Sequence, residues 1–102
     1  MIRVRDGIEV DGGRLSEICA RYGVRELSLF GSALGPDFGP DSDVDLLYTL
    51  DEDARLGWEI VDLAAELEVL FGRPVDLVGR NSIHWLIRDD VLATARTLHA
   101  AA

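Results

Sequence analysis

The chain has 102 residues, enough for one domain with a modest core and too few for a second. Apolar residues make up 48% of it, yet no apolar run nears the length that spans a bilayer, so a soluble globular protein without a membrane partner is expected. Nineteen acidic residues against ten basic ones give a formal charge of −9, which repels phosphate backbones and argues against a long nucleic acid bound by this chain alone.

All ten basic residues are Arg. The absence of Lys excludes both a Schiff-base lysine and the phosphate-binding lysine of a P-loop. The start shows no basic stretch followed by an apolar one, so no secretory signal is expected and a cytoplasmic location follows.

In chain order, "MIRVRDGIEV" (1–10) alternates apolar residues around Asp6-Gly7, the pattern of a small hairpin or a loose lead-in strand. Leu15, Ile18, Cys19 and Tyr22 recur at helical spacing ahead of Gly23, which predicts a helix over 12–22 with Cys19 as a plain core cysteine. "ELSLF" (26–30) reads as a short buried strand. From Ser32 a turn of helix can begin, but Gly35, Pro36, Gly39 and Pro40 cut it down to a loop. "DVDLLYTL" (43–50) is the next strand.

Leu56, Ile60, Leu63, Leu67 and Leu70 then predict a helix over 53–71, ended by Gly72 and Pro74. The acidic run "DEDAR" (51–55) suits the positive end of that helix. "PVDLV" (74–78) is a third strand, and Ile83, Ile87, Val91 and Leu98 suggest helical structure over 82–99. The alternation gives an α/β (α+β) fold: a small mixed sheet of three to four strands with helices packed on it.

Two places carry chemistry. Gly31 and Ser32 follow a strand where a helix can start, and such a point offers unpaired backbone N–H groups to a phosphate while glycine permits close approach. Alone, this reads as a simple turn. Asp43 and Asp45 stand two apart on a strand and so share a face, where their repulsion is unfavourable unless a cation intervenes. Hard oxygen ligands on a rigid strand suit Mg²⁺, which completes its shell with water and substrate phosphate. Asp76 sits in the third strand between Val75 and Leu77. If that strand lies beside the second, three carboxylates converge, and two metal ions between them can polarise both oxygens of an in-line phosphoryl transfer. Taken singly, each aspartate is equally a solvent-facing position.

Other polar and aromatic residues carry less. His84 and His99 lack the spacing of a metal pair and read as surface or packing residues. Trp58 falls opposite Leu56, Ile60 and Leu67, in a second stripe with Val61, Ala65 and Val69, and Trp85 and Leu92 likewise oppose Ile83 and Ile87. A helix apolar on two sides is either sandwiched within its fold or docked on a partner, and the pattern leaves both open.

Gly31-Ser32, ten intervening residues and Asp43-Val44-Asp45 resemble the GS-x10-DxD signature of the nucleotidyltransferase superfamily that includes DNA polymerase beta. "LSLFGSALGPDFGPDSDVDLL" looks specifically like the minimal nucleotidyltransferases, antitoxins of HEPN/MNT toxin–antitoxin pairs, and "GRPVDLV" with the stretch ending "ATARTLHAA" is similar to their ends. The likeness covers roughly residues 12–100 of a single 1–102 domain. It implies a nucleotidyltransferase fold and roles position by position. Gly31 and Ser32 would hold the β- and γ-phosphates of ATP, Asp43 and Asp45 would bind Mg²⁺, as two ions, and Asp76 would join that metal site and help it activate the acceptor hydroxyl. Asp41 and Ser42 would serve turn geometry. The activity implied is transfer of AMP from ATP to a tyrosine of a cognate HEPN ribonuclease toxin. Two alternatives stay open: a module that neutralises its partner by contact, and transfer to a small molecule. One departure is visible, since many relatives carry Arg soon after the Gly-Ser pair and this chain has Ala33, Leu34 and Gly35.

Overall fold

The computed structural model describes residues 1–101 apart from Asp6, Asp37, Pro40, Asp41 and His84, and for Ser32, Ala33 and residues 85–88 it describes the backbone alone. Strands β1 (Ile2–Arg5) and β2 (Ile8–Val10) pair antiparallel, the hairpin of the two forms the pattern allows, separate from the main sheet. Helix α1 runs Gly12–Tyr22, as its spacing requires. Asp11 caps it, its Oδ1 accepting from the Gly13 and Arg14 amides at 2.9 and 3.2 Å, and Gly23 ends it in the left-handed region at φ 71°.

The main sheet contains β3 (Val24–Leu29), β4 (Val44–Leu50), β5 (Val75–Gly79) and β6 (Arg96–Ala100), in the order β5-β4-β3-β6. Only the β4–β5 pair is parallel, and α2 (Glu59–Phe71) forms the crossover that a parallel pair needs. Alternation sorts the strand residues. Leu27, Leu29, Val44 and Leu46 join Leu15, Ile18 and Cys19 of α1 and Leu63, Leu67 and Phe71 of α2 in one core, sealed at the side by Val4, Ile8 and Val10 of the hairpin. Burial pushes the Cys19 thiol up to about 11, as befits an inert core cysteine. Leu92 of α3 (Trp85–Thr94) shares a small cavity with Ser28, Leu47 and Thr49 on the opposite sheet face. No helix among the described residues is long and apolar enough to cross a membrane.

Two expectations are corrected. The helix predicted over 53–71 starts at Glu59, because "DEDAR" closes a turn instead: the Ala54 amide donates to Asp51 O at 3.0 Å, and Arg55 Nη1 to the carbonyls of Glu52 and Ala54 at 3.0 and 2.8 Å. The acidic first turn of the helix is therefore Glu59 and Asp62, and Leu56 packs on the core from the connecting segment. The helix predicted over 82–99 ends at Thr94, and Arg96–Ala100 is a strand. The seven-residue step from Val91 to Leu98 mimics a helical repeat, but the open edge of β3 takes these residues into its hydrogen-bond ladder. Asp41 and His84 lie outside the described residues, as do the side chains of Trp85 and Ile87.

Candidate active site

β3 delivers the chain to Gly31 and β4 brings the first carboxylates alongside it. The Phe30 amide donates to Asp45 O at 3.1 Å, after which Gly31, at φ 64°, opens a 3₁₀ turn over Gly31–Leu34. A Cβ at Gly31 would lie 2.9 Å from Asp45 Oδ2, so the backbone here presses against the carboxylate as only glycine allows. β5 lies beside β4 with Asp76 directly opposite Asp45, and Val44 donates its amide to Pro74 O at 2.9 Å just ahead of that pair. Because Val44, Leu46, Val75 and Leu77 pack toward the core, Asp45 and Asp76 project from the other face. Asp43, exposed, stands just before β4 and two residues from half-buried Asp45. Gly31, Asp45 and Asp76 thus form a row across one end of the sheet. The backbone of Ser32 is in the turn, and its side chain lies outside the description.

The donor set fits a hard divalent cation. Among the described residues no three His, Cys, Asp or Glu side chains are grouped as metal ligands, so the expected convergence of Asp43, Asp45 and Asp76 on one metal set is not seen: Asp76 stands across from Asp45 on the neighbouring strand, and Asp43 lies just outside β4. An open set of one or two carboxylates beside a backbone cradle is the arrangement Mg²⁺ accepts when water and phosphate fill its remaining positions. A cleft of about 460 Å³, lined by Tyr48, Arg55, Arg80 and Asn81 among others, lies at the opposite ends of β4 and β5 and includes none of Asp43, Asp45 and Asp76. His99 is half-buried in β6 with Nδ1 3.5 Å from Ser16 Oγ, a packing position.

Sequence reasoning missed the groups that hold the loop between the Gly31 turn and Asp43. The guanidinium carbons of Arg5 and Arg73 lie over the Phe38 ring, 4.4 and 4.7 Å from its centre. Arg5 Nη1 donates to Gly35 O at 3.2 Å, and Arg73 Nη1 to Gly39 O and Ser42 O at 3.1 and 3.3 Å. Ser42 Oγ in turn accepts from the Gly39 amide at 2.9 Å. The chain that lacks Arg beside its Gly-Ser pair therefore brings two from distant positions to the adjoining loop. The only local signal was Arg73, three residues ahead of Asp76.

The sequence pattern of the nucleotidyltransferase domain family matches residues 14–98. Protein adenylyltransferase MntA of Thermococcus cleftensis is 40% identical over 76 residues, 74% of this chain and 76% of that protein. Among solved structures, a toxin–antitoxin complex with AMP-PNP superposes with a TM-score of 0.68 at 19% identity, covering 90% of this chain and 75% of its own. A complex of tri-AMPylated Shewanella oneidensis HEPN toxin with its MNT antitoxin gives 0.59 at 18%, covering 88% and 70%. At these identities the structures speak for a shared fold alone. The family match takes in the Gly31 turn and all three aspartates, and on its extent the chain belongs to the nucleotidyltransferase domain family.

Proposed function

We propose that this chain is a Mg²⁺-dependent protein adenylyltransferase that moves AMP from ATP to a tyrosine hydroxyl of a cognate HEPN toxin, acting as its antitoxin. The observation that carries the reading is the Gly31 backbone packed against Asp45, with Asp76 opposite in register. The 40% identity to a protein named an adenylyltransferase supports the reaction, and the AMPylated HEPN toxin held by a protein of this fold supports the acceptor.

In this reading the amides of Gly31 and Ser32 bind the outer phosphates, a role that tolerates no side chain at position 31. Asp43 and Asp45 would hold Mg²⁺, which when bound would supply charge stabilisation to the nucleotidyl group under attack. Asp76 would align the tyrosine hydroxyl and accept its proton as the oxygen bonds the α-phosphorus and the bond to pyrophosphate breaks. The face bearing Asp45 and Asp76 is the one turned away from α1 and α2, so acceptor and nucleotide meet on the same side of the sheet.

The test is incubation with the cognate HEPN protein and Mg-ATP, followed by intact mass spectrometry of the partner. Gain of one or more AMP units is expected with wild type and none with Asp43→Asn. Calorimetric ATP affinity should fall when Mg²⁺ is withheld, and equal affinity in both conditions would exclude the metal role. Neutralisation of the partner without any mass gain would make the chain a contact inhibitor instead.

A further inference from the structure

Helix α2 has a second apolar face that nothing in the fold covers. Trp58, at its N-terminal edge, is 90% exposed, Val61 62% and Val69 81%, and with Ala65 they recur at steps of three and four residues. That spacing draws one stripe, turned half a revolution from the buried Leu63, Leu67 and Phe71. Among the described residues, three of the five large apolar side chains left exposed sit on this stripe. Single exposed apolar residues are ordinary, whereas a contiguous row marks an interaction surface.

We infer that the Trp58–Val61–Ala65–Val69 stripe docks a helix of the protein partner, one that is apolar along a stripe and edged with Lys or Arg. This rests on the partner reading proposed above. The border of the stripe sets the sign of its occupant: Glu59, Asp62, Glu66 and Glu68 flank it, and α2 contains no Arg. Arg21 offsets Glu66 from α1, leaving the flank acidic on a chain already at −9. A second copy of α2 would set four carboxylates against four, so self-pairing is opposed by like charge, and a basic helix is favoured. The stripe faces away from the sheet and so lies on the side opposite Asp45 and Asp76, with the edge strand β5, which carries Asp76, between them; a partner seated on the stripe therefore reaches the site around that edge. Docking and chemistry then use different side chains, and the stripe sets partner affinity without touching nucleotide.

The test measures affinity of the intact chain for its cognate HEPN protein by calorimetry, with AMP transfer followed by intact mass. Trp58→Ala and Val69→Asp should each weaken binding about tenfold or more. The loss should appear in KM for the partner and leave ATP affinity alone. Asp62→Arg should weaken binding and flatten its dependence on salt. Because Trp58 and Val69 are exposed, melting temperatures should hold, which separates docking from misfolding. Unchanged affinity in all three variants, with transfer intact, would overturn the docking surface and leave the transferase reading standing. A wild-type chain that neither binds nor modifies the partner would overturn both. Sedimentation showing a homodimer that Trp58→Ala dissolves would hand the stripe to a second copy and overturn the inference.

Discussion

Gly31 and Gly72 offer a matched pair at the scale of single residues. Both hold left-handed backbone, at φ 64° and 70°, but a Cβ at Gly72 meets nothing within 4 Å while one at Gly31 meets the Asp45 carboxylate. Alanine at either site forces a side chain into that conformation, at a cost of about 1–2 kcal/mol. Thermal denaturation should therefore report similar losses for Gly31→Ala and Gly72→Ala. Only Gly31→Ala should also lose ATP binding, because only there does the new methyl group displace a carboxylate. Equal ATP affinity in the two variants would return Gly31 to a purely structural turn. The pattern of glycine, serine and alternating aspartates was visible in the sequence because a turn closing a strand and carboxylates two residues apart are short-range features. The contribution of Phe38 was not, since a ring in a Gly- and Pro-rich loop takes its meaning from Arg5 and Arg73, which reach it from far along the chain.

Elements that announce their own ends were legible in advance, and those defined by distant partners were not. α1 carries Asp11 before it and Gly23 after it, and both act where they stand. The start of α2 was blurred because Leu56 extends the helical spacing, although local hydrogen bonds of 51–55 fold that stretch as a turn. β6 carries a helix-like spacing in sequence, because the ladder that makes it a strand belongs to β3. Between α1 and α2, Glu66 accepts from both the Tyr22 hydroxyl and Arg21 Nη1, and the Tyr22 bond above all holds its carboxyl below the usual range. A group with a lowered folded-state pKa stabilises the fold above its unfolded value and ceases to do so as pH falls through the folded one. The difference in melting temperature between wild type and Glu66→Gln should thus be largest near neutrality and shrink on acidification; a constant difference would assign the effect to packing. Gly35, Phe38, Gly39 and Ser42 form another tied segment. Arg73→Ala should lower the rate of AMP transfer about tenfold through loss of two carbonyl bonds and the ring contact, with Arg73→Lys restoring part of it. A rate indifferent to Arg73 would free the loop from any positioning role.

Over the whole molecule, one side chain joins elements from opposite ends of the described chain. Arg96, in β6, donates to Val4 O and Arg3 O in β1 at 3.3 and 3.4 Å, so the hairpin and the last strand are fastened to each other. Leu98 of β6 enters the same core as Val4, and β6 covers an edge of β3. Ending the chain after Thr94 should consequently yield aggregates instead of a smaller folded unit, as light scattering and circular dichroism would reveal. A soluble, cooperatively melting fragment would show that β6 is dispensable. The pairing of β3 with β6 also fixes an order of events at the ribosome. β3 is synthesised long before its outer neighbour, and the carboxylate of Asp45 is in place on β4 while the sheet that braces it is still open on one side. A nascent chain therefore has an unbraced site until β6 has emerged, and activity begins only in molecules whose sheet has closed.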